Sequence, residues 1–159
     1  MTINEIPLSA QEVLQNYWDG SIPINPARIA KKLGVNVIVD DSLSDIEGQF
    51  AYEDDIPTIR VASSDHPARM RFTVAHELGH YCLCHNEGAR DPYHNFSGDV
   101  RSYKERAANQ FASALLMPEY LVKRAVREFE ITDVQELADA FNVSGPAMRI
   151  RLKELGMIR

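Results

Sequence analysis

The spacing of apolar positions divides the chain into a mixed first third and a helical remainder. Residues 9–18, SAQEVLQNYW, carry apolar groups at helical intervals, with Ser9 placed to cap the start and Asp19-Gly20 to stop it. Asn25-Pro26 offers a second cap followed by proline at the first helical position; ARIAKKL continues that helix and Gly34 ends it. VNVIV (35–39) reads as a short β-branched strand. GQFAYE (48–53) and PTIRVA (57–62) read as two strands joined by the acidic turn Asp54-Asp55-Ile56. From Ser63 the pattern turns helical. Ser64 or Asp65 caps a helix that begins near Pro67 and carries RMRFTVAHELGHYCLCH to about residue 85. Residues 86–100 lack periodicity and are rich in Gly, Asn, Asp and Pro, as a loop would be. Helices follow over 103–117 and 118–129, and the tail divides into two more around Asn142–Ser144, capped by Thr132 and Ser144.

Composition narrows the setting. At 159 residues and 45% hydrophobic content the chain can bury the core of one domain. It has no run of the roughly 18 apolar residues that a membrane span needs. Its first residues, MTINEIPLSAQEVLQ, have neither a basic region nor a long apolar one, so a cytoplasmic location is expected. The net charge of -6 argues against non-specific affinity for nucleic acid. Cys82 and Cys84 lie one residue apart, which suits no disulfide framework. Within a helix they would point in different directions and share an ion poorly, so both are expected to act as small apolar groups.

The chemistry concentrates at His76-Glu77-Leu78-Gly79-His80. Residues four apart on a helix lie about 40° apart around its axis, so both imidazoles leave one face and can take adjacent corners of a tetrahedral Zn²⁺ site. Glu77 stands about 100° round from His76, beside such an ion, where its carboxylate can hold a zinc-bound water and accept its proton. Phe72, Val74, Ala75 and Leu78 would bury the opposite face. A catalytic zinc needs a third protein ligand and an open position. A histidine six residues beyond the second would be one solution, but that position is Asn86. His85 would lie about 140° off the ligand face. Glu87, Asp91, His94, Asp99 and Glu105 remain. Glu105 is the best placed, because Asn109 follows one turn later on the same helical face and can supply an outer hydrogen bond, while Ala107 and Ala108 permit close helix approach.

Two blocks, Arg71-Phe-Thr-Val-Ala-His-Glu-Leu-Gly-His80 and Glu105-Arg-Ala-Ala-Asn-Gln-Phe-Ala-Ser-Ala-Leu-Leu-Met-Pro118, resemble the ImmA/IrrE metallopeptidase family in content, order and separation. The resemblance runs from about residue 25 to 155. It implies an α+β fold: a small zincin-like core whose short, mainly antiparallel sheet packs on the H-E-x-x-H helix, followed by a helical C-terminal segment. The expected division is 1–129 for the peptidase domain and 130–159 for a helix-turn-helix-like segment packed on it. The resemblance further implies Zn²⁺ held by His76, His80 and Glu105, Glu77 as base, and a protein substrate, typically a helix-turn-helix repressor. An electrophile for the oxyanion would come from Tyr93, His94 or Tyr103, among which spacing does not choose. The hairpin 48–62 offers an edge strand to an extended substrate.

The tail carries two competing readings. Leu137-Ala138 through Asn142 and Ser144, then Met148 and Leu152, looks like a helix-turn-helix, with Arg149, Arg151 and Lys153 on its second helix. DNA binding through 131–155 is therefore one alternative to a peptidase, although residues 130–159 are slightly acidic where a groove-binding module is basic. A catalytically weak, zinc-containing module that grips a repressor or antitoxin is the other.

Overall fold

The structure, a computed structural model, describes residues 6–43, 46–64, 66–85 and 98–159, with the backbone alone for 98–101. Among them are seven helices and a three-stranded sheet. The capping box anticipated at Ser9 is present: Glu12 N–H donates to Ser9 Oγ and Ser9 N–H to Glu12, opening α1 (Ala10–Tyr17). Asn25 caps α2 (Pro26–Lys32) through Arg28 N–H, and Gly34 leaves it at a left-handed φ of 83°.

Three strands follow, β1 (Asn36–Val39), β2 (Gly48–Glu53) and β3 (Ile56–Val61), ordered β1-β3-β2. β2 and β3 are antiparallel, joined by Asp54 and Asp55, both at positive φ as a tight hairpin requires. β1 runs parallel to β3 over a shorter register than the antiparallel β2–β3 pair, so the mainly antiparallel sheet that was expected carries one parallel edge. Alternation within a strand says which face is buried; it carries no information on the direction of a neighbour. Phe50, Ile59 and Val61 are buried, and the Phe50 ring stands edge-on to Tyr81 at 5.8 Å, which seats the sheet on α3 (Pro67–Cys82). Arg60 forks onto Glu53 at 2.7 and 2.8 Å and reaches Asp40 at 2.9 Å, which ties the strand ends together.

α3 differs from its sequence reading at both ends. Its N-cap is His66, whose side chain makes no capping bond; Ser64 Oγ instead accepts from His66 N–H, while Asp65 lies outside the described residues. The helix stops at Cys82 rather than near 85, because Cys84 turns left-handed (φ 62°) and His85 N–H closes back on His80 O at 2.7 Å. Cys82 is wholly buried, and burial, with Cys84 close by, pushes its thiol up to about 12; Cys84 is half-buried. Iodoacetamide at pH 8 is therefore expected to label Cys84 in the native protein and Cys82 only after denaturation. Peptide mass spectrometry reads the order.

α4 (Gly98–Leu116) begins five residues before the expected start, in the stretch read as loop; an aspartate such as Asp99 is at home in a first helical turn. α5 (Glu119–Arg127), α6 (Val134–Phe141) and α7 (Gly145–Glu154) complete the chain. Asp133, not Thr132, caps α6; Asn142 takes the left-handed position after it, and Ser144 caps α7 as expected. Leu137, Phe141, Met148 and Leu152 join one apolar cluster with Leu78, Leu115 and the sheet residue Phe50. Arg71 of α3 reinforces this packing. Its guanidinium donates to Ile24 O and, at 3.2 Å, to Asn142 O, pinning the α6–α7 turn to α3. No helix among the described residues is long and apolar enough to cross a membrane.

Candidate metal centre

α3 buries Val74, Ala75, Leu78 and Cys82 and leaves His76 and His80, one turn apart, on another face. α4 lies against that face and brings up Glu105 and, one turn on, Asn109. Glu105 Oε2 is 3.0 Å from His76 Nε2, and Glu105 Oε1 is 3.1 Å from His80 Nε2. Among the described residues these three side chains form a group of metal-ligating type, their donor atoms all within 4.8 Å of one another.

The outer hydrogen bonds decide which atoms face inward. His76 Nδ1 is 2.8 Å from Asn109 Oδ1, an acceptor, so Nδ1–H donates and Nε2 is left with its lone pair. His80 Nδ1 is 2.9 Å from His85 Nδ1. If His80 donates there, its Nε2 likewise carries a lone pair toward Glu105. Two imidazole lone pairs and a carboxylate then converge, an arrangement of acceptors that a cation between them satisfies. The donor set thus fits a divalent ion of zinc's type.

The electrostatics follow from the same contacts. With a proton rather than an ion between them, the His76 and His80 rings donate Nε2–H to Glu105 and hold its carboxyl well below the usual carboxylate range. For His76, burial favours the neutral ring, but Glu105, Glu77 and Asn109 together outweigh it and leave the pKa raised. Burial, then the neighbouring His80, pushes His85 down to about 4, so this ring is neutral at physiological pH.

Glu77 is 7% exposed and its Oε2 lies 3.9 Å from His76 Nε2. It borders a cleft of about 340 Å³ with Gly48, Phe72, Thr73, His76 and Asn109. Of the other residues singled out in the sequence, Tyr103 sits on α4, 65% exposed and two positions before Glu105. Tyr93 and His94 lie outside the described residues, as do Glu87 and Asp91, and so does the side chain of Asp99. Of the three basic residues offered for DNA, Arg149 and Lys153 are exposed. Arg151 donates to Met117 O at 2.9 Å, its side chain only 12% exposed, and is spent on packing α7.

Three positions are not legible as site residues in the sequence. Helical spacing directs His85 away from the ligand face, yet the left-handed Cys84 brings it onto His80 Nδ1. A methyl on Gly48 would come within 2.5 Å of Thr73 Cγ2 and 3.4 Å of Glu77 Cγ, so β2 can pass over the site only as glycine. A glycine at the start of a strand was the available signal. Gly79 lets α4 approach: a Cβ there would meet Phe111 at 3.1 Å and Ala108 O at 3.2 Å. Gly79→Val is expected to lose about 1–2 kcal/mol in chemical denaturation, because overpacking against α4, about 1–3 kcal/mol, exceeds the roughly 0.5 kcal/mol gained by replacing a helical glycine with valine.

Comparison with known proteins agrees with this geometry. Residues 30–153 match the family model of the IrrE N-terminal-like domain, a peptidase family. The chain is 31% identical over 108 residues to the radiation response metalloprotease IrrE of Deinococcus radiodurans and 32% identical over 108 residues to that of Deinococcus deserti. These matches take in 65% of this chain but only 33% and 38% of the relatives, so it spans about a third of their length. A solved structure of a Mycobacterium tuberculosis transcriptional regulator superposes with a TM-score of 0.57 at 25% identity, covering 79% of this chain and 38% of that one. With the family model matched over most of its length, and a His-His-Glu cluster where a metallopeptidase needs one, the chain belongs to the ImmA/IrrE family of metallopeptidases.

Proposed function

We propose that this protein is a zinc-dependent endopeptidase that cleaves a specific regulatory protein in the cytoplasm, a helix-turn-helix repressor, with residues 1–129 as a zincin-like catalytic domain and 130–159 as a helical segment packed on it. The observation that carries the reading is the convergence of His76, His80 and Glu105 with Glu77 alongside. These three residues would hold the ion. When bound, zinc supplies Lewis acidity to the substrate carbonyl and lowers the pKa of water to about 7.

The remaining chemistry belongs to the side chains. Glu77 accepts a proton as a water oxygen bonds to the carbonyl carbon, and returns it to the amide nitrogen as the C–N bond breaks. Its near-complete burial keeps bulk water from competing for that proton. Asn109 and His85 hold the two imidazoles in the tautomer that aims Nε2 inward. Tyr93, His94 or Tyr103 supplies the hydrogen bond to the oxyanion. β2 is an edge of the sheet and starts beside Glu77, which suits an extended substrate pairing along it.

The test is mass spectrometry of a helix-turn-helix repressor encoded beside this protein, incubated with the zinc-loaded chain. One discrete cut is expected, abolished by a chelator and restored by zinc. An intact repressor under all conditions refutes the substrate; cleavage that survives metal removal refutes the mechanism.

A further inference from the structure

Phe72 lies where three depressions meet. One, of about 340 Å³, holds His76 and Glu77. A second, of about 600 Å³, opens between the start of α3 and α7, with Val143, Pro146, Ala147 and Ile150 on its far wall. The third, of about 320 Å³, runs between α4 and α7 and again includes Ala147 and Ile150. Shared walls (Glu47 and Thr73 between the first two, Asn109 between the first and third) make them one cleft leading from the metal centre to α7.

The far wall is apolar without serving the core. α7 buries Met148 and Leu152, whereas Ile150, midway between them and so about 200° round the helix, is 57% exposed. An isoleucine turned into a cleft of this size, facing Phe72, is the composition of a side-chain pocket rather than of a solvated surface. The carboxylates at its rim are already paired, Glu47 with Arg69 at 3.2 Å and Glu154 with Arg151 at 3.4 Å, and so offer little to a charged guest. Phe72 and Thr73 precede His76 and Glu77 by one helical turn, about 6 Å along the axis. An extended peptide covers that distance in about two residues.

We infer that Phe72, Ala147 and Ile150 form a specificity subsite for a large aliphatic or aromatic side chain lying within two residues of the scissile bond. The inference rests on the peptidase reading above and gives the C-terminal segment a role in substrate selection. The helix that resembles the second helix of a DNA-binding motif presents its exposed face to the peptide substrate. The occupant is a peptide because the cleft is continuous with the site of peptide hydrolysis.

Binding of hydroxamates, which chelate zinc, to the zinc-loaded full chain tests this by calorimetry. Acetohydroxamate is too small to reach Ile150 and reports the metal centre alone. Peptide hydroxamates of one backbone, carrying Ala, Asp, Leu or Phe at each of the two positions nearest the chelating group, report the subsite. Leu or Phe at one position is expected to bind about 10-fold or more tighter than Ala, with Asp weakest. Ile150→Asp, and independently Ala147→Phe, which fills the cleft, should remove that preference while acetohydroxamate still binds. Equal affinity for Ala, Leu and Phe, or a preference that survives both substitutions, overturns the subsite and leaves the metal centre standing. Failure of acetohydroxamate to bind the unsubstituted protein overturns the metal centre, and the subsite with it.

Discussion

Replacing Glu77 by Gln is expected to lower peptide hydrolysis by about 10³-fold while zinc binds as before. The amide keeps the size of the carboxylate, so the close packing beneath Gly48 is undisturbed, and Glu77 is not one of the three converging donors. What is lost is the ability to take a proton. General base catalysis contributes roughly 10²–10⁴-fold, and the burial of Glu77 keeps this site above the low end of that range by excluding a solvent substitute. Initial rates on the proposed repressor substrate, with zinc content measured on the same preparations, decide it. A Glu77→Gln protein that holds zinc and cleaves at the rate of the unsubstituted one would remove Glu77 from the mechanism.

The features legible in the sequence are those set by local periodicity. Four-residue spacing on a helix was enough to bring His76 and His80 side by side, and the same rule put Glu105 and Asn109 on one face of α4. Caps and turns that depend on a single residue type, Ser9, Asn25, Asn142 and Ser144, were equally readable. What escaped depends on contacts between distant segments or on a residue acting against its type. β1 joins β3 in parallel, a choice no local pattern records. Cys84 ends α3 in a conformation usually left to glycine, so the pattern extends the helix and projects His85 away from the site it in fact adjoins. Gly79 looks like a filler inside the motif until α4 is laid across it. The C-terminal segment shows the limit best. Its sequence has the outline of a DNA-binding motif, yet Arg151 is consumed by Met117 O and the exposed apolar residue of α7 faces the cleft.

Removing the Glu105 side chain separates holding a metal from holding the fold. Glu105→Ala is expected to weaken zinc binding by about 10³-fold, since loss of an outer partner alone typically costs 10–100-fold and this carboxylate contacts both inward-facing nitrogens. Its effect on the metal-free protein should be small. The Glu105 side chain is 48% exposed, and solvent screening on that side holds its pairing with the two histidines to about 1 kcal/mol. Thermal melts distinguish the two consequences. At a zinc concentration about 100 times the dissociation constant, the unsubstituted protein gains roughly 2.7 kcal/mol, and a 10³-fold weaker site reduces that gain to nearly nothing. The expected signature is a metal-free melting temperature within a few degrees of the unsubstituted protein, with no shift on adding zinc. Gly79→Val, by contrast, lowers the melting temperature with or without metal, because it acts on helix packing rather than on a donor. A Glu105→Ala protein whose melt still rises with zinc as the unsubstituted one does would place the third ligand elsewhere in the chain.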